Sequence, residues 1–105
     1  MNQQFKKGII EICVLHFIKK EDRYGYEIVK ELGVLFNVKE STIYPILKRL
    51  SNDNFLETYL VESNSGPARK YYKITKLGNE NYEDVKEEWL KFAKGISLYL
   101  NEGEI

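Results

Sequence analysis

The sequence predicts a mainly α-helical domain with one small β-hairpin, in the order helix, helix, helix, hairpin, helix. Apolar residues recur at helical spacing through the first half of the chain and again near its end. Stretches suited to strands flank a single cluster of turn formers, Ser63-Asn64-Ser65-Gly66-Pro67-Ala68. No repeat, low-complexity stretch or Pro/Gly-rich linker divides the 105 residues, and with 43% of them hydrophobic the chain has material for one compact core. A domain of this size buries a limited share of its surface, so an apolar stripe left over after folding asks for a second subunit.

From Phe5 to about Lys20, the residues Ile9, Ile10, Ile12, Cys13, Val14, Leu15, Phe17 and Ile18 leave little of the circumference polar, which predicts a largely buried first helix. Lys6 and Lys7 ahead of this run imitate a signal peptide. Glu11 and His16 interrupt it, however, and charged residues from Lys19 to Arg23 stand where a small-residue cleavage site would be needed. The run is also short of the roughly 20 residues that span a bilayer. Tyr24, Ile28 and Leu32 recur every fourth residue and predict the second helix, ended by Gly33 or extended to Phe36. A polar connection, Asn37 to Glu40, leads to the third helix. Pro45 lacks the N–H that a helix interior must donate, so Thr42 is predicted as N-cap, placing the proline in the first turn. The predicted strands are Phe55 to Glu62 and Arg69 to Thr75, joined by a long exposed tip, and Thr75 is placed to cap the last helix.

On a wheel of about 100° per residue, Ile43, Ile46, Leu47 and Leu50 share one arc of the third helix and must face the core. The opposite side carries Ser41, Pro45, Lys48 and Asn52, flanked by Thr42, Tyr44 and Arg49. Hydroxyls, an amide and cations are what base edges and phosphates in a major groove require. On an isolated helix Lys48 and Arg49 would merely solvate a surface. Behind a second helix and a short turn, they sit where a helix-turn-helix places its reading helix. The hairpin adds Arg69, Lys70 and Lys73, whose competing role is to guard a sheet edge against aggregation. The formal net charge is zero, yet residues 1–78 hold 13 Lys and Arg against 9 Asp and Glu, a net of +4, and residues 79–105 hold 3 against 7, a net of −4. A basic body with an acidic end suits a protein that turns one face to an anionic polymer. The candidate contacts to double-stranded DNA are Ser41, Thr42, Tyr44, Pro45, Lys48, Arg49, Arg69, Lys70 and Lys73.

Three segments in this order resemble the PadR family of transcriptional regulators, short-tailed subfamily. They are Tyr24-Gly25-Tyr26-Glu27-Ile28, the run from Ser41 to Leu50, and Gly66-Pro67-Ala68-Arg69-Lys70-Tyr71-Tyr72-Lys73-Ile74-Thr75. Two positions often Gly in the family are Ser41, which can cap or meet a phosphate, and Asn54, which can adopt the left-handed backbone that helix ends favour. The resemblance implies a winged helix-turn-helix over residues 1–75 and a dimerisation helix over residues 76–105. It further implies a homodimeric repressor, often of detoxification or drug-export genes, released by a small aromatic ligand.

The last helix supports a dimer independently, since Tyr82, Val85, Trp89, Phe92, Ile96 and Tyr99 are spaced as a heptad seam. Packing of that stripe on its own domain is the competing arrangement. A dimer would set two reading helices roughly 34 Å apart, matching a pseudo-palindromic operator. Trp89 and Phe92 are the candidate contacts for a planar aromatic effector, against a plain packing role.

Catalysis is not expected, because His16 and Cys13 lack an oriented base or an oxyanion motif, and two ligands do not make a zinc site. His16 is instead expected as a satisfied core histidine. The lone Cys13 cannot form an internal disulfide and points, as a buried thiol, to a reducing cytoplasm. No cofactor, metal or membrane contact is expected. The rival to DNA binding is a winged-helix module that contacts only proteins.

Overall fold

The computed structural model describes the backbone of residues 3–102 and the side chains of residues 7–102. Met1, Asn2 and residues 103–105, the outer ends of the two segments expected from sequence, lie outside the described residues. The elements run α1 (Gln3–Lys20), β1 (Arg23–Tyr24), α2 (Gly25–Phe36), α3 (Glu40–Asn52), β2 (Leu56–Ser63), β3 (Gly66–Ile74) and α4 (Lys76–Leu100). The predicted order holds, with one addition: Arg23 and Tyr24 form a short strand antiparallel to β3, so the sheet order is β1-β3-β2.

The core lies where the three N-terminal helices meet the root of the sheet. Ile10, Val14, Leu15 and Ile18 of α1 pack with Ile28 and Leu32 of α2, and with Ile43, Ile46, Leu47 and Leu50 of α3. Leu56, Tyr72 and Tyr82 close it from the sheet and from α4. All four α3 positions assigned to the core by the wheel are buried, so the opposite face of that helix is turned outward.

Both ends of α3 repay attention. The helix starts at Glu40, after an N-cap at Lys39, two residues before the predicted start, and Pro45 lies inside it. Thr42 is therefore not the cap; its N–H reaches the Lys39 carbonyl at 2.9 Å. The carbonyl that Pro45 leaves without a donor is that of Ser41, an exposed residue, and a helix tolerates such a gap best where solvent can replace the missing N–H. At the other end Asn54 adopts φ 65°, as expected of a helix terminator. Phe55 N–H bonds to the Leu50 carbonyl at 2.9 Å and Asn54 N–H to the Ser51 carbonyl at 3.1 Å, the paired bonds of a Schellman ending. Asn37, at φ 53°, ends α2 in the same manner, with Val38 N–H bonded back to Gly33 at 3.1 Å.

The hairpin is longer and its tip tighter than predicted. β3 begins at Gly66, so only Asn64 and Ser65 separate the strands, and Gly-Pro-Ala belongs to the strand. A register shift between Val61 and Ser63 accommodates the turn. At the root, Thr75 caps α4: its hydroxyl accepts from Gly78 N–H at 2.9 Å and donates to the Asn54 carbonyl at 2.7 Å. A Cβ on Gly78 would stand 2.1 Å from the Phe55 carbonyl oxygen, so the close approach of α4 to the end of α3 requires glycine there.

α4 packs on α1 through its first half and then leaves the domain. Tyr82 is 3% exposed, whereas Phe92 and Tyr99 are 62% and 73% exposed. The principal extents are 60 × 28 × 21 Å and the radius of gyration is 16.1 Å. A compact chain of this length would have about 13 Å, and the protruding helix accounts for the excess. No described helix is long and apolar enough to cross a membrane.

Candidate nucleic-acid interface

The outward face of α3 carries Ser41, Tyr44, Pro45 and Lys48, all exposed, with Thr42 half-buried at its flank. Among the described residues Lys48 enters no salt bridge. Arg49 behaves differently. Its guanidinium pairs with Glu11 of α1, and it lines a recess of about 150 Å³ with Ile12, Leu50, Phe55 and Val85. The wheel places Arg49 at the flank of the outward face, about 100° round the helix from Lys48, and there it meets Glu11 of α1 rather than standing free as Lys48 does.

At the other flank, Tyr44 joins α3 to the sheet. The rings of Tyr44 and Tyr72 both lie 3.6 Å from the position of a Cβ on Gly25, so α3, the start of α2 and β3 meet at one point. Burial, and secondarily the neighbouring Tyr44, raise the pKa of Tyr72. The ammonium of Lys70 lies 5.6 Å from the Tyr72 ring centroid. Lys48, Tyr44 and Lys70 thus belong to one surface that passes from helix to wing.

Alternation along β3 separates the three wing cations. Lys70 shares a face with Tyr72, whereas Arg69 and Lys73 share the outer face with Tyr71. Lys73 sits at the hairpin root opposite Glu57, away from the tip. Arg69 stands over the ring of Tyr24 at 5.0 Å. Tyr24, Tyr71 and Tyr59 form a row across the outer face, with ring centroids 5.9 and 5.6 Å apart. Tyr59 O–H donates to Asp22 at 2.6 Å, which pushes its pKa up to about 12. The period-two pattern of β3 contained this row, but it became visible only when β1 was seen beside β3.

The heptad stripe of α4 divides in two. Tyr82 is a core residue of its own chain, which corrects its expected place in an inter-subunit seam, while Val85 is half-buried beside it. Trp89, Phe92, Ile96 and Tyr99 are exposed, and Trp89, Phe92, Ile96 and Leu100 line a shallow open recess.

His16 is an exposed residue rather than the expected core histidine. Its Nδ1 shares a 2.7 Å hydrogen bond with the Tyr82 hydroxyl, joining α1 to α4. Partial desolvation lowers its pKa, and Lys20, Lys86 and Lys19 add to the effect. Cys13 is half-buried, and burial raises its pKa. Among the described residues no group of three His, Cys, Asp or Glu side chains could hold a metal ion.

Residues 14–84 match the model of the transcriptional regulator PadR-like family. A protein of Lysinibacillus sphaericus is 34% identical over 98 residues, with 90% of each chain covered. The negative transcriptional regulator PadR of Bacillus subtilis strain 168 is 28% identical over 104 residues, and the match covers 85% of this chain but 57% of that longer protein. Among solved structures, the PadR-like transcriptional regulator of Bacillus cereus strain ATCC 14579 superposes with a TM-score of 0.82 at 37% identity, covering 92% of this chain and 96% of the other.

Proposed function

This chain belongs to the transcriptional regulator PadR-like family, and from that premise we propose that it represses transcription as a homodimer bound to a pseudo-palindromic operator in the cytoplasm. The reading rests chiefly on the outward face of α3, where Lys48 stands among exposed Ser41, Tyr44 and Pro45 and runs into the wing at Lys70. Lys48 and Lys70 meet phosphates; Ser41, Thr42 and Tyr44 reach base edges or backbone. Arg69 contributes from the wing's other face, while Arg49 and Lys73 lie at the margins. Repression is supported by the likeness to the negative transcriptional regulator PadR of Bacillus subtilis.

Residues 1–75 serve as the DNA-binding part and residues 76–105 as the dimerisation helix. The open stripe of Trp89, Phe92, Ile96 and Tyr99 is the self-association surface, because aromatics of this size at heptad spacing are left uncovered by their own chain. A planar aromatic effector stacks on Trp89 and Phe92 between the two subunits. A broad panel of planar drugs and phenolic acids should include quenchers of Trp89 fluorescence, and a panel without any would remove the effector.

The decisive experiment selects bound DNA from random duplexes and then measures affinity for the enriched site against salt. Each phosphate neutralised should contribute about 0.9 to the slope of log affinity against log salt. Lys48→Ala should weaken binding and lower that slope by about one such increment, with the fold and dimer intact. Arg49→Ala should affect binding less, since Glu11 already engages the guanidinium. A protein-only module would enrich no sequence and show no slope.

A further inference from the structure

Arg69 is an exposed cation on a projecting strand, and a long side chain in that setting ordinarily samples many rotamers. Here it lies over an aromatic ring that is itself held from several sides. Tyr24 pairs through its backbone with Tyr71 of β3. Its N–H donates to Glu27 Oε1 at 3.0 Å at the start of α2. Its ring packs 5.9 Å from Tyr71, which stacks on Tyr59 at 5.6 Å, and Tyr59 is tied to Asp22. The Arg69 guanidinium therefore rests on the one residue that belongs to both the wing sheet and the beginning of α2. A cation over a ring uses the face of its plane, which leaves its N–H donors at the edge open for a phosphate.

We propose that Tyr24 is a positioning residue of the DNA interface: it holds Arg69 over its ring so that the wing's guanidinium is set relative to α3 before DNA arrives. This rests on the DNA-binding reading above. It assigns a role to Tyr24, which opens the first of the three family-like segments and which, unlike Ile28 of the same segment, is not part of the core.

The test is a double-mutant cycle on the enriched duplex, with wild type, Tyr24→Leu, Tyr24→Phe, Arg69→Ala and the Tyr24→Leu/Arg69→Ala pair. Tyr24→Leu should weaken binding about two- to fivefold, the size of a cation–π contact at an exposed site. Tyr24→Phe, which keeps the ring, should bind as wild type does. In the Arg69→Ala background Tyr24→Leu should have no further effect. An NMR measurement on the DNA-free protein reads the contact directly: the Arg69 Hδ resonances should be shifted upfield by the ring in wild type and in Tyr24→Phe.

Additive losses in the cycle would overturn the proposal, as would a loss in Tyr24→Phe equal to that in Tyr24→Leu. Random-coil Arg69 resonances in the wild type would do so even if Tyr24→Leu did not fold. Failure of the wild type to bind any duplex would strike the DNA reading itself, and the NMR arm separates that outcome from failure of the contact.

Discussion

Gly78 carries a demand that no neighbouring residue relieves. The Phe55 carbonyl oxygen stands where its Cβ would be, and a backbone atom held in the turn after α3 cannot rotate aside. Gly78→Ala should therefore destabilise the domain by about 1–3 kcal/mol, as overpacking does, read as a lower midpoint in urea unfolding. Unchanged stability would mean that α4 can back away from α3 without cost. In the sequence Gly78 looked like any glycine in a polar helical turn; its constraint arises from Phe55, 23 positions earlier. Asn54, by contrast, was legible, because a left-handed helix terminator is a local property of the chain. Arg49 marks the boundary between the two cases: its exposure was readable from the wheel, but its partner Glu11 lies on another helix.

Elements were legible where periodicity was strong and less so where partners decided. The core stripe of α3 and the cap at Thr75 followed from spacing and residue type alone. β1 did not, since two residues carry no pattern and become a strand only because β3 lies alongside. α3 starts earlier than Pro45 predicts, because a proline past the first turn is tolerable when the residue four positions before it, here Ser41, is exposed. The contact between α1 and α4 also depends on tertiary placement, and it carries a pH dependence. His16 meets the Tyr82 hydroxyl, with Lys19, Lys20 and Lys86 as cationic neighbours and Glu83 paired to Lys19. Its pKa is lowered in the fold, so the unfolded chain takes up the proton first. The stabilising contribution is complete above the usual value of about 6.5 and is lost as pH falls below it. Urea midpoints should decline from pH 7.5 toward pH 5.5, and His16→Gln should flatten that part of the curve. An unaltered decline in the variant would assign it to other groups.

At the scale of the molecule, the chain is a compact head with a helical rod projecting from it, charged round most of its surface and apolar along one stripe. The rod's free part exposes Trp89, Phe92, Ile96 and Tyr99 on one stripe, and an uncovered stripe of this size favours a second copy. Phe92→Glu should shift sedimentation from dimer to monomer while leaving far-UV circular dichroism nearly unchanged, because Phe92 contributes little to its own head. A Phe92→Glu protein that remained dimeric would move the self-association surface elsewhere. With its 25 residues, α4 is about 37 Å long, and it is rooted at the corner formed by Asn54, Thr75 and Gly78. If two such rods are clasped near their far ends, each works as a lever with its pivot at that corner. A tilt of about 5° there moves the far end of α3, about 20 Å from the corner, by about 2 Å, half or more of the rise of about 3.4 Å per base-pair step. The stiffness of one glycine-lined pivot would then gauge how many base pairs separate the half-sites that the pair can grip together.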